Sequence, residues 1–303
     1  MSDLTAEVLD DVGVVLGTDV AVLGRLPGGL NAGAFRIQLA VGRHAVLKAE
    51  PGTHPDRLAE VERAQRVAEH MRLVDYPTPA WLGVGSTAAH VWHVTELVDA
   101  QPAVELTSSL VEQLLAIVEL QAGQASVPYD HWEYAWRIAT GQGSTDHETP
   151  EQSRLRRAIA ELPAHSPVVS ALVDRLRLVC ADVPPPPGSP DMVHADLATP
   201  GNVLVRDGLV VAVVDIGNAG RGTRATDLVG LVWYTLRDPK LDDTRRQLWT
   251  RVVDIVGGDA AAVLLATHIL HMLELPVRHG RFDVVPSVIE RAHRAIDELT
   301  ALR

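Results

Sequence analysis

Residues 193–205 read VHADLATPGNVLV, and residues 213–217 read VVDIG. The first stretch carries Asp196 and Asn202, and the second places Asp215 at the end of an apolar run. Phosphoryl transfer needs such a set, because one carboxylate accepts the proton of the attacking hydroxyl while an amide and a second carboxylate hold magnesium. The sequence therefore predicts Asp196 as the general base and Asn202 with Asp215 as the ligands of Mg²⁺.

The composition is that of an ordinary globular protein, with 303 residues of which 47% are hydrophobic and 22% charged. The net charge of -12 argues against nucleic acid or a membrane surface as a partner, because both require a basic patch. The same charge suits a cationic small molecule. The one cysteine, Cys180, excludes a disulfide within the chain, and the start lacks the pattern of a signal peptide. We expect a cytoplasmic protein, and the sequence leaves its oligomeric state open.

The pattern of apolar residues changes along the chain. Period-two alternation and glycine-rich turns predict strands in most of the first hundred residues, with one helix over residues 56–74. After Pro102 the apolar spacing is mainly that of helices. Asp207 and Gly208 join two apolar runs and are typical of a hairpin turn. The two patterns predict a strand-rich lobe followed by a larger, mainly helical lobe.

Residues suited to a nucleotide lie in the strand-rich part. Gly28, Gly29, Asn31 and Gly33 form a glycine-rich turn that allows backbone amides to approach phosphate oxygens, although such turns also occur in plain hairpins. Lys48 is one of two lysines among 27 basic residues. Where arginine is the default cation, a lysine in a strand indicates a site for a compact ammonium.

Lys48 requires a carboxylate on the following helix to hold its side chain in place. Glu60 and Glu62 are the two candidates. Glu60 is favoured, because Ala64 and Val67 place apolar residues on its side of the helix, whereas Glu62 has charged residues at the same offsets. The other glutamate is then a solvated residue.

These motifs resemble those of the aminoglycoside phosphotransferase family, the small-molecule relatives of the protein kinases. The loop of that family reads HGDLHPxN before an apolar strand, and His194, Asp196 and Asn202 match it here. Asp215 matches the aspartate that ends the family's next apolar run, and Asp227 matches its later GDPxxDL element. The resemblance covers most of the chain in the family's order.

The resemblance implies a bilobal α+β fold like that of the protein kinases. A small antiparallel sheet with one helix in residues 1–98 would form the nucleotide-binding lobe. Residues 99–303 would form the larger, mainly helical catalytic and substrate-binding lobe, which carries the catalytic hairpin. The resemblance also implies ATP, or GTP, with Mg²⁺ as cofactors.

The resemblance assigns further roles to single residues. The backbone near Glu96 and Val98 would meet the purine. His194 would brace the catalytic loop, and Asp227 would hold the loop after Asp215 without touching the substrate.

The sequence departs from the family pattern at several positions. Asp196 and Asn202 are six positions apart, where the family usually has five. Ala195 and Ala198 replace a glycine and a histidine, and Ile216 stands where phenylalanine is common. The extra loop residue supports an alternative, a non-catalytic nucleotide-binding scaffold. The presence of Lys48, Asp196 and Asp215 argues against this alternative, because a scaffold does not need all three.

The acceptor is predicted to be a small molecule that carries a hydroxyl group. A cationic antibiotic is the first candidate, and a metabolic sugar, amino alcohol or homoserine-like compound is the alternative. Glu274, His271 and Trp132 are candidate substrate contacts. His268, His271 and Glu274 also have the spacing of a metal-binding helix face, but a substrate-facing or packing role is favoured for them. For Trp132, core packing is favoured over a place in the wall of the acceptor pocket. A protein kinase is disfavoured, because no separate APE segment follows Asp215.

Overall fold

The computed structural model of the chain describes residues 4–26, 33–52, 56–125, 130–143, 150–185, 188–199 and 201–302. The strands are β1 (Ala21–Arg25), β2 (Ala34–Gln38), β3 (His44–Pro51), β4 (Trp81–Ser86), β5 (His90–Glu96), β6 (Gln101–Pro102), β7 (Asp191–Val193), β8 (Val203–Arg206), β9 (Leu209–Val213) and β10 (Gly220–Gly222). The helices are α1 (Ala6–Leu16), α2 (Arg57–Arg72), α3 (Ser108–Glu119), α4 (His131–Thr140), α5 (Pro150–Glu161), α6 (Pro167–Cys180), α7 (Ala225–Thr235), α8 (Asp242–Arg278) and α9 (Val285–Thr300).

The chain divides into two compact units. Unit 1 contains residues 1–105 and 199–219, and unit 2 contains residues 106–198 and 220–303. An antiparallel sheet in the N-terminal part and helices in the C-terminal part confirm the predicted α+β class. The hairpin of β8 and β9 groups with unit 1, because β8 pairs with β6. The nucleotide-binding and catalytic roles of the two predicted lobes stay predictions.

Unit 1 is built on a five-stranded antiparallel sheet in the order β1-β2-β3-β5-β4. In β3, Ala45 and Leu47 are buried while Lys48 faces the other side, as the two-residue period of a strand requires. Helix α1 packs against β4, and the indole N–H of Trp92 on β5 donates to the carboxylate of Asp11 on α1 at 2.7 Å. The face of the sheet that carries Lys48 is therefore set by strand alternation.

Strands β8 and β9 form the hairpin that carries the predicted metal ligands, and β6 extends it to three antiparallel strands. Asp207 and Gly208 at its turn have φ values of 53° and 78°. Positive φ at both central residues is the geometry of a type I′ turn, so the turn predicted from Asp-Gly is confirmed. Val203 pairs with Val213, so the residues before β8 and after β9 lie at the same open end.

Unit 2 is mainly helical, and nearly all residues of α7 are buried. Helix α7 packs on α8, which also contacts α4, α6 and α9. The short strands β7 and β10 pair with each other, so residues 191–193 run beside residues 220–222. This pairing places the start of the loop that carries Asp196 close to the start of α7.

Helix α8 is interrupted at Gly257, where φ of 77° and ψ of 164° lie outside the helical region. By length and composition alone, the helical stretch over residues 239–278 is apolar enough to cross a membrane. Half of the window that meets this test is buried inside the protein, which is typical of a core helix. The absence of a membrane partner stays a prediction.

Candidate active site

Lys48 and Asp215 form an ion pair in unit 1, with 2.9 Å between Nζ and Oδ1. Their side chains are 25% and 53% exposed, so solvent weakens the pair and a ligand can compete for either group. Asp215 lies two residues after β9 with φ of 66° and ψ of 46°. Aspartate tolerates this left-handed conformation better than most residues.

Asn202 lies at the same open end of the hairpin. Its backbone carbonyl accepts a hydrogen bond from the amide of Val214 at 2.8 Å, and its own amide donates to the carbonyl of Thr199 at 3.0 Å. Gly201 adopts φ of 99°, a conformation that glycine allows without strain. The loop with its extra residue therefore still brings Asn202 beside the segment that carries Asp215.

Asn202 and Asp215 form a donor set that suits Mg²⁺. They offer a carboxamide oxygen and a carboxylate, and Asn202 is only 8% exposed. Mg²⁺ typically takes one or two protein carboxylates and completes its octahedron with phosphate and water oxygens. The residues present fit the ion, and their role as its ligands stays a prediction.

Glu60, the predicted partner of Lys48, lies on the inner side of α2 with 14% of its side chain exposed, whereas Glu62 is exposed. This difference agrees with the preference for Glu60 from helix periodicity. The guanidinium of Arg57 donates to Glu60 at 2.7 Å and also contacts Glu50. The pairing of Glu60 with Lys48 stays a prediction.

His93 belongs to this site, although the sequence did not single it out. It pairs with Lys48 across β3 and β5, and its ring stacks on Trp81 with centroids 4.5 Å apart and an interplanar angle of 16°. Burial, assisted by the positive charge of Lys48, lowers the pKa of His93 to about 3. His93 is therefore a neutral imidazole at physiological pH. Its position beside Lys48 follows only from the register of β3 and β5, which are far apart in sequence.

Glu96 ends β5 and is fixed at both its backbone and its side chain. Its amide donates to the carbonyl of Ala80 at 2.9 Å, and its carboxylate accepts from the amide of Ala80 at 3.1 Å. The carbonyl of Val98 accepts from the amide of Ala100 at 3.0 Å. The contact of this segment with a purine stays a prediction.

The predicted glycine-rich turn is described only at its end. Gly28, Gly29 and Asn31 lie outside the described residues. A Cβ on Gly33 would lie 2.3 Å from the guanidinium of Arg25, so any side chain there would displace the arginine. Gly33 thus allows a close approach between the chain and this side chain.

In unit 2, Asp227 holds the loop that carries the predicted base. Its carboxylate is buried and accepts from the amides of His194 at 2.8 Å and Ala195 at 2.9 Å, and from the side-chain amide of Gln121 at 3.0 Å. Burial raises the pKa of Asp227, and these donors oppose that shift. We predicted contacts with the loop after Asp215. The contacts found lie instead just before Asp196, because the β7–β10 pairing brings that loop to α7.

His194 is fully buried, and its Nδ1 accepts a hydrogen bond from the amide of Asp196 at 3.3 Å. Ala195 has φ of 72°, in the region where an L-residue costs about 1–2 kcal/mol. The side chain of Asp196 is partly exposed. The buried contacts therefore fix the backbone of the loop on both sides of Ala195. The roles of His194 as a brace and of Asp196 as the base stay predictions.

The three predicted substrate contacts differ in their surroundings. Glu274 is a buried carboxylate that pairs with two arginines, at 2.9 Å and 3.6 Å, which reduces its attraction for a cation. His271 hydrogen bonds with the hydroxyl of Tyr134 at 3.3 Å. Trp132 is 5% exposed, as is typical of core packing. Their contacts with an acceptor stay predictions.

The family model of the phosphotransferase enzyme family APH matches residues 22–264. No curated protein matches the chain in sequence. Among solved structures, the chain is similar to a thermostable mutant of the aminoglycoside phosphotransferase APH(4)-Ia in ternary complex with ADP and hygromycin B. The TM-score is 0.68 at 16% identity, over 97% of this chain and 99% of that chain.

Two further solved structures are similar in fold. A candidate fructosamine-3-kinase from Thermobifida fusca YX-ER1 has a TM-score of 0.58 at 22% identity, over 96% of this chain and 100% of that chain. The amicoumacin kinase hAmiN, in complex with AMP-PNP, Ca²⁺ and Ami, has a TM-score of 0.61 at 12% identity, over 95% of this chain and 93% of that chain.

The family match covers most of the chain and includes all residues of the predicted base, metal pair and lysine. The structural similarity covers both units and confirms the predicted kinase-like α+β fold. The chain therefore belongs to the APH phosphotransferase enzyme family, whose members transfer phosphate to hydroxyl groups of small molecules.

Proposed function

We propose that this protein moves the γ-phosphate of ATP to a hydroxyl group of a small molecule in the presence of Mg²⁺. The observation that carries the proposal is the ion pair of Lys48 with Asp215 at the hairpin end that also carries Asn202. Phosphoryl transfer of the kinase type uses a lysine, an amide and a carboxylate in these roles. The adenine nucleotides in solved relatives support ATP over GTP.

In the proposed reaction, Asp196 accepts the proton of the acceptor hydroxyl as its oxygen attacks the γ-phosphorus. A bond forms between that oxygen and phosphorus, and the bond to the β–γ bridging oxygen breaks, so ADP leaves with the bonding electrons. The contacts of His194 and Asp227 hold the loop in place before the acceptor binds. General-base assistance is worth about 10²–10⁴-fold in rate.

Asn202 and Asp215 would hold Mg²⁺, which neutralises phosphate charge when bound. Lys48 binds the phosphates through its ammonium, and Glu60 positions that side chain. The partial exposure of Lys48 and Asp215 supports these roles, because both groups can exchange their mutual contact for contacts with a ligand.

The remaining roles are assigned to the two predicted lobes. Residues 1–98 bind the nucleotide, with the glycine-rich turn predicted from the sequence at residues 28–33 over the phosphates and the backbone at residues 96–98 against the purine. Residues 99–303 supply the base and the acceptor site. A cytoplasmic location suits an enzyme that consumes ATP.

A cationic antibiotic is the first candidate acceptor. The net charge of -12 attracts cations, and the similar structures include enzymes solved with hygromycin B and with Ami. A metabolic hydroxyl compound is the second candidate. The candidate fructosamine-3-kinase, at 22% identity, supports this alternative.

The proposal is tested by Mg²⁺-dependent ATP consumption with a panel of aminoglycosides, peptide antibiotics, macrolides, sugars, amino alcohols and hydroxy acids. We expect one class to yield ADP and phosphorylated acceptor in equal amounts, and Asp196→Ala to abolish both. Asp243→Ala is the matched control, since its side chain is 84% exposed. Transfer that persists in Asp196→Ala contradicts the assigned base, and nucleotide binding without any transfer favours the scaffold alternative.

A further inference from the structure

A cluster of basic and aromatic side chains lies on α7, α8 and α9 and on the turn that follows α7, all in unit 2. Cζ of Arg291 lies 4.7 Å from the ring centre of Trp233, and Trp233 meets His268 edge-on at 5.6 Å between centroids. Cζ of Arg237 lies 4.7 Å from the ring centre of Tyr234, and both residues act electrostatically on Arg291. We call these five residues the basic–aromatic cluster.

The cluster lies beside the loop that carries the proposed base. A Cβ built on Gly230 of α7 would lie 3.5 Å from Cβ of Ala198 and 3.9 Å from Cε1 of His268. Ala198 is two residues after Asp196. Gly230 therefore lies between His268 and this loop, so the cluster is next to the loop that carries the proposed base.

Three members of the cluster carry buried nitrogen atoms that have no hydrogen-bond partner among the described residues. In the described part of the chain, Nε1 of Trp233, Nε2 of His268 and Nη1 of Arg291 are buried and have no hydrogen-bond partner. The side chain of Trp233 is completely buried. A buried donor without an acceptor is costly, and such groups are rare unless a ligand or water completes them. Acceptor oxygens of a bound ligand would satisfy the N–H groups of Trp233 and Arg291.

The charge of the cluster has the sign that attracts an anion. Within the described ranges, no ion pair joins Arg237 or Arg291 to a carboxylate. Burial and the nearby charge of Arg237 lower the pKa of Arg291, although its guanidinium remains the charged form at physiological pH. Burial lowers the pKa of His268 to about 3, so its imidazole is neutral and able to present an N–H.

We propose that Arg291, with Trp233 and His268 beside it, forms a subsite for a carboxylate group of the acceptor. The planar guanidinium of Arg291 donates to the carboxylate oxygens, and a cation–π contact with the indole ring of Trp233 holds the guanidinium in place. The proposal rests on the proposed phosphotransfer and adds to it the chemical class of the acceptor, a compound with both a hydroxyl and a carboxylate.

The subsite separates the two candidate acceptors. An acceptor with positive charge alone would place a cation beside Arg291 and Arg237, and like charges at short range repel. Glu274, the one predicted acidic contact on α8, is already paired with two arginines. A metabolic hydroxy acid, or a compound that carries a carboxylate as well as an amine, fits the cluster.

The direct test measures binding of benzoate, benzyl alcohol and benzylamine to the full-length protein by calorimetry, without nucleotide. We expect saturable binding of benzoate and much weaker binding of the other two. Arg291→Gln should weaken benzoate binding at least about tenfold, since a hydrogen bond to a charged group is lost. The matched control, Arg246→Gln on α8, should leave it unchanged, because Arg246 is 75% exposed and pairs only at the surface.

Arg291→Lys keeps the charge without the planar fork and should weaken binding less than Arg291→Gln. It also serves if the glutamine variant does not fold. A lack of saturable benzoate binding, equal binding of benzylamine, or an unchanged affinity in folded Arg291→Gln overturns the subsite. Phosphate transfer is measured separately in the wild-type protein, with Asp196→Asn as the inactive control that should still bind benzoate. Failure of the proposed function would appear as absent transfer by the wild type with benzoate binding intact.

Discussion

Asp215 in unit 1 and Asp227 in unit 2 are 12 positions apart in the sequence, and their surroundings differ in exposure. The side chain of Asp215 is 53% exposed and forms an ion pair with Lys48. Asp227 is 3% exposed, and its carboxylate accepts from the amides of His194 and Ala195 and from a glutamine side chain. A solvated carboxylate can exchange its partner for a ligand at little cost, whereas a buried carboxylate with several donors cannot.

The difference shows how one residue type can serve two purposes in the same chain. Asp215 is suited to bind, because water and ligands reach it. Asp227 is suited to hold the loop of His194 and Ala195 in place, because its removal would leave the amides of that loop without an acceptor. Substitution of Asp227 should therefore lower mainly the stability of the protein, whereas substitution of Asp215 should lower mainly the binding of its ligand.

The largest expected effect on stability is that of Asp227→Ala. We expect the free energy of unfolding in urea to fall by about 3 kcal/mol or more, because two buried donors and one partly buried donor lose their acceptor, and each buried donor costs about 1–3 kcal/mol. Asp243→Ala, at a surface pair, should change it by less than about 0.5 kcal/mol. Equal stability of Asp227→Ala and Asp243→Ala would contradict the structural role of Asp227, and with it the distinction from Asp215.

Asp215→Ala should show the converse behaviour. We expect the affinity for Mg²⁺ with nucleotide to fall by at least about 100-fold, since loss of a supporting ligand residue alone costs about 10–100-fold. The free energy of unfolding should change by less than about 1 kcal/mol, because the ion pair with Lys48 is partly exposed. Titration calorimetry and urea unfolding measure the two quantities. A strong loss of stability with intact binding contradicts the proposed role.

The pH dependence of stability sharpens the contrast. Burial raises the pKa of Asp227, so the folded protein holds this proton more tightly than the unfolded chain does. The resulting stability is complete below the ordinary pKa of about 4 and is lost as the pH rises through the raised value.

Asp227→Asn cannot undergo this change. The free energy of unfolding of the variant minus that of the wild type should therefore increase with pH over this window, by at most about 1.4 kcal/mol per pH unit. Urea unfolding at a series of pH values measures the slope. A difference that decreases with pH would show that the hydrogen bonds to Asp227 outweigh its burial.

The smallest expected effect concerns the backbone that Asp227 holds. Ala195→Gly removes a left-handed strain of about 1–2 kcal/mol but adds about 0.5–1 kcal/mol of chain entropy, so a gain of about 0.5 kcal/mol is expected. Ala198→Gly, in the same loop without positive φ, should lose about 0.5–1 kcal/mol. Thermal unfolding compares them, and a stability loss in both variants contradicts strain at Ala195.

Local sequence chemistry predicted the features that depend on short segments. Asp207 and Gly208 require positive φ in a two-residue hairpin, so their turn was readable. The same holds for the inner position of Glu60, which follows from the helical period. The motif order also sufficed for the α+β class and the family.

Features that depend on long-range pairing were not readable. His93 meets Lys48 only through the register of β3 and β5. The hairpin groups with unit 1 through the pairing of β8 with β6. Asp227 was assigned to the wrong loop, because only the β7–β10 pairing reveals its contact with His194. Such pairings join segments far apart in sequence, and no local pattern encodes them.

The most direct test of the proposed mechanism compares binding and transfer in one variant. Asn is nearly isosteric with Asp, so Asp196→Asn should preserve the conformation of the loop while it removes the carboxylate that would act as the base. With an accepted substrate, we predict that it binds AMP-PNP with Mg²⁺ like the wild type while phosphate transfer falls by about 10²–10⁴-fold. Transfer at the wild-type rate by folded Asp196→Asn would contradict the central claim that Asp196 is the catalytic base.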